Sequence, residues 1–352
     1  MERGENVNLS IINPASDCRW DDLVGRHPLA SVFHERGWLR ALVKTYGYEP
    51  GVLTSAAADK PLEDGLLLCR VSSWMTGTRL VSLPFADHCE PLLSGVSDPL
   101  EFANWLREEC RERQWSYAEI RPLAEGERPA STLRPNRSYW YHELDLSPSL
   151  EKLFGQLHHN SFQRKIRRAG RERLTYEAGR SIPLLDEFYR LLIITRRRQE
   201  LLPQPRSWFD NLLESVGERL QISVARKNGT TVAAMISLRH EGCVVYKYGC
   251  SDARFHNLGG MPFLFWKLIE ESKLSGAERI DLGRCDLDNL GLTAFKDRMG
   301  TRKRKLTYYR YTNPEAAIAL RPADSHRFRG LSAVLPDSVL SAAGRLLYRH
   351  LG

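Results

Sequence analysis

The chain has 352 residues, 42% of them apolar and 27% charged, the balance of a soluble globular protein, and its length exceeds what one hydrophobic core usually organises, so two domains are expected. A formal charge of +8 and a pI near 9.1 favour an anionic partner, and no apolar run is long enough to span a membrane. The start, MERGENVNLSIINPASDC, lacks a basic segment followed by an apolar core, and the seven scattered cysteines show no CxxC or Cys/His spacing, so the expectation is a cytoplasmic protein with reduced thiols and no zinc module.

In the first half, residues 17–26 and 35–46 are of helix length, the second (ERGWLRALVKTY) carrying Trp38, Leu39, Leu42 and Val43 on one face. Strand-like runs follow at 51–54, 65–72 and 79–83, then the turn-rich SLPFADHCEPLL, a helix over 99–114, and strands over 117–121 and 139–146. Helices interleaved with strands in this order imply an α/β (α+β) layer.

The second half opens on LHHNSFQRKIRRAGRER, residues 157–173, which gathers six Arg and Lys side chains in about one helix. Such a run is a solvated face or an anion-binding surface, and it has almost no aromatic interleaving of the kind single-stranded nucleic acid favours. A helix over 183–200 ends in TRRRQELLPQP, with Arg198 suited to a carboxylate or phosphate, or to the helix dipole. Runs 220–226 and 231–239, joined across Asn228-Gly229, form the clearest hairpin in the chain, and Val244–Gly249 extends it. On an unbroken strand Tyr246 and Tyr248 project from one face, where they would line an acceptor groove.

A polar loop then closes in Gly259-Gly260, Pro262 suits a helix start, and an apolar-periodic helix follows. Two residues without Cβ let the backbone approach a ligand, and free amides at a helix start favour a pyrophosphate; a tight packing turn is the plainer alternative. After Gly276 come a strand from Arg279, a loop with Asp286 and Asp288, and a short helix carrying Phe295-Lys296. Either aspartate is a candidate general base or acceptor-orienting group, and with Asp281 they make three acids that lack the partners of a metal site. Cys285 lies beside them with no evident histidine to make a dyad, and no G-x-S-x-G elbow occurs, so direct transfer without a covalent intermediate is the expected chemistry. Residues 336–351 form an apolar-periodic helix with Arg345 and Arg349 beside it, to be packed on the protein or laid on an anionic membrane surface.

The order strand, NLGG turn, helix, DLGR strand end and FKDRMG resembles the second half of an acyl-CoA N-acyltransferase (GNAT) fold. More narrowly it resembles the FemAB-like and BioF2-like acyltransferases, including a branch associated with exopolysaccharide. The resemblance implies tandem GNAT-like domains, expected over 1–150 and 151–312, each a mainly antiparallel sheet flanked by helices, with a helical tail over 313–352. It implies a donor site in the second domain built from Asn257, Gly259, Gly260 and Phe295, with Lys296 over the acyl end. It also implies an acceptor site with Trp38 and Lys44 from the first domain and Arg198 from the T-x-x-R segment Thr195–Arg198. The phosphate loop keeps its glycines and departs from the family's Gln/Arg-x-x-Gly-x-Gly/Ala spacing. Acyl-CoA is the implied co-substrate and an amine-bearing envelope or polysaccharide precursor, amino sugar or amino acid the acceptor. The alternatives are aminoacyl-tRNA as donor, which would make a nucleic acid the partner, and a non-catalytic assembly factor.

Overall fold

The computed structural model describes residues 9–74, 77–93, 98–123, 132–316 and 337–350. They fall into two compact units. The first takes the residues up to Ser138, the stretch from Leu306 and the closing turn Tyr348–His350; the second takes Tyr139–Lys305 and the terminal helix up to Leu347.

The first unit contains β1 (Ser10–Ile12), α1 (Arg19–Arg26), α2 (Arg36–Tyr46), β2 (Glu49–Thr54), β3 (Leu66–Ser73), β4 (Gly77–Val81), α3 (Pro99–Glu112) and β5 (Tyr117–Ile120). Strands β1 to β4 pair antiparallel in chain order and β4 pairs β5 in parallel. Two strands belong to both units. β6 (Arg134–Asp145) is in the first through Ser138 and in the second from Tyr139; β12 (Arg302–Thr312) is in the second through Lys305 and in the first from Leu306, where it pairs β5.

The second unit adds α4 (Leu150–Gln156), α5 (Arg164–Arg171), β7 (Thr175–Gly179), α6 (Ile182–Arg198), α7 (Arg206–Val216), β8 (Leu220–Lys227), β9 (Thr230–His240), β10 (Cys243–Ser251), α8 (Gly260–Leu274), β11 (Arg279–Asp286), α9 (Leu290–Asp297) and α10 (Asp337–Leu347). Its strands repeat the plan of the first: β7 to β10 antiparallel, then β11 parallel to β10, with β6 antiparallel on β11.

Local chemistry sets the ends of these elements. Asp98 accepts the Leu100 amide ahead of Pro99 at the start of α3, and Ser181 accepts the Leu184 amide ahead of Pro183 at the start of α6. The β8–β9 turn is Asn228-Gly229, both at positive φ (50° and 78°), the type the sequence signals. In the first unit α3 lays Phe102, Ala103 and Leu106 on Leu53, Leu66 and Leu80 of the sheet. In the second, α8 lays Leu264, Phe265, Leu268 and Ile269 on Val244, Ile280 and Leu282, each large side chain stabilising the fold by about 1.5–3 kcal/mol.

β1, α4 and α7 have no counterpart in the sequence reading, and three more elements differ from it. The helix expected across 157–173 starts only at Arg164, after a π-helical turn at His159–Gln163 that His158 caps. β7 and β12 carry little strand signal of their own, because β7 is largely exposed and β12 opens in Arg-Lys-Arg-Lys before its buried Leu306 and Tyr308.

Candidate active site

A gap in the second sheet creates the site. Strands β10 and β11 pair only where Cys243–Val245 faces Arg279–Asp281; beyond that β10 continues with β9 and β11 with β6. At the same place β10 bulges. Tyr246 faces Ser237 and Tyr248 faces Ile236, leaving Lys247 as the extra residue. The bulge overturns the expectation that the two tyrosines share a face. Tyr246 packs on Phe265 of α8 (ring centroids 4.7 Å apart), and its hydroxyl occupies the space over Gly249 that a Cβ would fill. Tyr248 turns the other way, edge-on to Phe209 at 5.2 Å, its hydroxyl accepting from Trp208 Nε1 at 2.9 Å. Tyr246 lines the cavity described next and Tyr248 does not.

The cavity, about 470 Å³, lies against β9 and β10, with Tyr246, Gly249, Ser251, Gly260, Met261 and Phe295 in its wall. Cations reach it from three elements: Lys165 of α5, Arg198 of α6 and Arg298 just after α9. Among the described residues no carboxylate lines it and none of these three cations forms an ion pair. A cavity with this charge suits an anion.

One corner is tightly organised. Thr195 Oγ1 accepts the Ser251 amide at 2.9 Å and donates to the Ser251 carbonyl at 3.1 Å, which also accepts from Arg198 Nη1 at 3.1 Å. Ser251 Oγ lies 2.9 Å from His256 Nε2, and Arg198 Nη1 approaches that nitrogen at 3.5 Å. Because a guanidinium only donates, Nε2 is the acceptor of the neutral ring. Partial desolvation, then Arg198 and Lys165, hold His256, which keeps an exposed edge, below the ordinary histidine range. The sequence reading missed Ser251, His256 and Lys165 as members of one site, since they come from a strand end, a turn and a helix whose meeting no local pattern announces.

The paired glycines have separate structural reasons. Gly259 has φ +81°, and a Cβ there would overlap the Lys165 carbonyl; Gly260 sits where a Cβ would lie 3.0 Å from Ala233 Cβ. Gly259 thus lets the turn pack on α5, and Gly260, which lines the cavity, lets α8 start close to β9. No side chain caps α8. Asn257 is exposed in the turn before it and is not a lining residue.

Phe295 lines the cavity and packs on Phe162 and Phe265. Lys296, next to it, is 4% exposed and not itself a lining residue, its Nζ donating to the carbonyls of Gly283 (3.1 Å) and Arg284 (3.0 Å). Asp286 and Asp288 are exposed at and after the end of β11 and do not line the cavity. Cys285 does have a histidine neighbour, contrary to the sequence reading: His142 Nδ1 is 3.7 Å from its sulfur, and His142 Nε2 is 3.1 Å from Asp297 Oδ1. The histidine comes from β6, 143 positions earlier, and so was invisible as a dyad. Burial raises the thiol above its ordinary value, with Lys296 opposing, so it is neutral at pH 7.

In the first unit Trp38 is fully buried and edge-on to Phe33 at 4.9 Å, and Lys44 is exposed on α2. Of the C-terminal segment, Tyr348 and His350 are buried in the first unit, where Tyr48 Oη donates to the Arg349 carbonyl at 3.0 Å and Arg79 to that of His350 at 3.1 Å. Among the described residues no helix is long and apolar enough to cross a membrane, and no group of three or more His, Cys, Asp or Glu could hold a metal.

Residues 158–297 match the acetyltransferase (GNAT) domain family. No curated protein sequence matches the chain. Among solved structures, FemX is similar over 84% of this chain and 95% of its own at 14% identity and a TM-score of 0.64. The C-terminal domain of an Agrobacterium fabrum protein described as a lysylphosphatidylglycerol synthetase covers 86% of this chain and 93% of its own, at 18% identity and a TM-score of 0.57. A tandem GNAT protein from the clavulanic acid biosynthesis pathway covers 87% and 98%, at 12% identity and a TM-score of 0.54. At these identities the three establish the fold, and the domain match locates the acetyltransferase half on the unit that holds the cavity. Residues 158–297 therefore carry a GNAT acetyltransferase domain, the mark of a transferase, within a chain that shares its fold with FemX and the tandem GNAT protein.

Proposed function

We propose that the protein transfers an acyl group from acyl-CoA to the amine of an amino sugar, an amino acid or a cell-envelope or polysaccharide precursor, directly and without a covalent enzyme intermediate. The observation that carries this reading is the cavity beside the β10–β11 gap, walled by apolar and aromatic residues and ringed by Lys165, Arg198 and Arg298 with no acid among its lining. An acyl thioester carried on a nucleotide has that combination of an apolar arm and phosphates.

In this reading Gly260 and Phe295 contact the donor, while the turn at Asn257 and Gly259 shapes the entrance. Lys296 holds the end of β11 through the Gly283 and Arg284 carbonyls and sets a positive charge near the transferring carbonyl, where a buried cation is worth far more than in water. Asp286 or Asp288 takes the proton that the acceptor amine gives up as the CoA thiol leaves, or orients that amine, and Arg198 and Tyr246 contribute to its pocket. Tyr248, packed on Phe209 and Trp208, supports the cavity wall from behind β10.

Titrating the purified protein with acetyl-CoA and longer acyl-CoAs, beside an aminoacyl-tRNA mimic at fixed moderate salt, tests the donor. Saturable CoA-ester binding that is lost in Gly260→Asp is the expected result. The exposed cations of α5, Arg164, Lys165, Arg167 and Arg171, support the second reading, an aminoacyl-tRNA donor; binding to the tRNA mimic alone would select it. A cytoplasmic location, peripheral to the inner face of the membrane, fits either donor.

A further inference from the structure

The corner formed by Thr195, Arg198, Ser251 and His256 has a feature that a plain cationic pocket lacks: a neutral histidine set among uncompensated cations. The groups facing His256 are Arg198 from α6, Lys165 from α5, Ser251 from the end of β10, and Asp252, which is itself engaged by Arg254. Two of the three charged groups are positive, and the carboxylate among them already has a partner. A phosphoryl group entering this corner would meet the Arg198 and Lys165 cations and the Ser251 hydroxyl. It would also reverse the local potential that keeps His256 neutral.

We propose that Lys165, Arg198, Ser251 and His256 form a phosphate clamp in which His256 takes up a proton as the ligand enters. Neutral Nε2 accepts from the Ser251 hydroxyl. Once protonated, Nε2 donates, and the Ser251 hydroxyl turns to donate to a phosphate oxygen, so the corner exchanges one internal hydrogen bond for two donors aimed at the ligand. Protonation and phosphate binding then strengthen each other reciprocally. The clamp deepens the acyl-CoA reading and rests on it only for the source of the phosphate; a diphosphate-linked acceptor would carry the same chemistry.

The sign follows from linkage. The ligand-free histidine titrates below its ordinary value of 6.5 and the liganded one above it. Affinity therefore tightens as pH falls through the liganded value, by up to about tenfold per pH unit, and levels off below the ligand-free value, where both states are protonated.

Calorimetric titration in buffers of different ionisation heat counts the protons. The ligands are acetyl-CoA, acetyl-dephospho-CoA, UDP-N-acetylglucosamine and pantetheine, each with the wild type and His256→Gln. The two diphosphate diesters carry no phosphate that titrates near neutrality, and pantetheine carries no phosphate. Near pH 6.5 the wild type is expected to take up a large fraction of one proton with a phosphate-bearing ligand and none with pantetheine. His256→Gln is expected to lose that uptake while binding within about threefold of wild type at pH 8, and Lys165→Ala to lose tenfold or more in affinity. Uptake equal in wild type and His256→Gln overturns the proposal while leaving acyl-CoA as donor. Binding of UDP-N-acetylglucosamine but not of CoA esters keeps the clamp and overturns the donor. Absence of binding by every phosphate ligand overturns both.

Discussion

Two places in this molecule gather arginines around a short-range network, and they are built on opposite rules. In the first unit, buried Glu119 sits between Arg121 (Nε to Oε1, 3.1 Å) and Arg310 (Nη2 to Oε2, 2.6 Å), with Asn136 donating as well at 3.2 Å. Arg121 also donates to the Leu83 carbonyl and lies over the Tyr308 ring, and Arg310 lies over Tyr117. In the second unit, Arg198 and Lys165 reach toward a neutral histidine and a cavity with no carboxylate in its lining. The first arrangement is complete within the protein. The second leaves charge unbalanced, and unbalanced charge around a cavity is what a ligand completes. Residue type alone does not separate structural from functional arginines; the completeness of their partners does.

Breaking the complete network should have the largest effect. Removing the central carboxylate in Glu119→Ala strands two partly buried guanidiniums, and a loss of about 3–5 kcal/mol is expected in denaturant unfolding, with ligand affinity per folded molecule unchanged. The pH dependence has a definite sign. Burial alone would raise the Glu119 carboxyl, but Arg121 and Arg310 outweigh it and hold it below the usual carboxylate range. A depressed folded value gives stability that is present above the unfolded value, near 4.5, and is lost as pH falls through the folded one. The gap in melting temperature between wild type and Glu119→Gln should therefore be full at pH 7 and shrink below pH 4. A constant gap from pH 7 to pH 3 would show that the carboxylate charge is not what the network stabilises.

Lys296 comes next and tests whether a residue can belong to both kinds. Its ammonium is buried and satisfied by two carbonyls, like the arginines around Glu119, yet it adjoins Phe295 in the cavity wall. Lys296→Ala leaves those carbonyls without their donor, at a cost of about 1–3 kcal/mol. Loss of acyl transfer far beyond what the folded fraction explains is expected, with CoA-ester affinity largely kept. Lys296→Met, which fills the same volume, separates packing from charge: turnover recovered in that variant would remove the cation from the chemistry.

The same contrast explains what could be read from the sequence. Elements with their own local signals were legible: the Asn228-Gly229 hairpin, the helix after Gly259-Gly260, the Ser181- and Asp98-capped helices and the FK pair on α9. The family resemblance rested on the NLGG turn, the helix after it, the DLGR strand end and FKDRMG, and it carried the fold. What was illegible depends on long-range pairing. β12 is a strand because Leu306 and Tyr308 find a buried face, despite the four cations before them. The bulge at Lys247, which turns Tyr246 and Tyr248 to opposite faces, is fixed by the register with β9 and has no glycine or proline to announce it. The His142–Cys285 contact joins strands 143 positions apart. The corner at His256 needs α5, α6 and β10 together, so the sequence singled out Arg198 through its segment and not the residues that surround it.

Gly259 in the turn and Gly249 in β10 give an intermediate effect that distinguishes packing from ligand approach. Gly259→Ala must place a Cβ at positive φ and against the Lys165 carbonyl, so a stability loss of about 1–3 kcal/mol is expected. Gly249→Ala meets only side-chain ends, the Tyr246 hydroxyl and, at 3.1 Å, Met261 Cε, which can shift, and its cost should be smaller. Both substitutions disturb the cavity wall, but only the second leaves α5 where it is. Hydrogen exchange across α5 that quickens in Gly259→Ala and not in Gly249→Ala is the expected signature.

The smallest effect on stability is expected where the charge is least balanced. Lys165 is exposed, forms no ion pair among the described residues and faces Arg198 and His256 across the corner. Lys165→Ala removes repulsion and strands no partner, so its unfolding free energy should stay within about 0.5 kcal/mol of wild type, with any change favouring the variant. The depression of His256 should ease at the same time, because one of the cations that causes it is gone. NMR titration of the histidine imidazoles reads this directly, as a His256 midpoint that moves up toward the ordinary value in Lys165→Ala. A midpoint unmoved by the substitution would mean that burial and Arg198 alone keep the ring neutral, and that Lys165 is a solvated cation like its neighbours along α5.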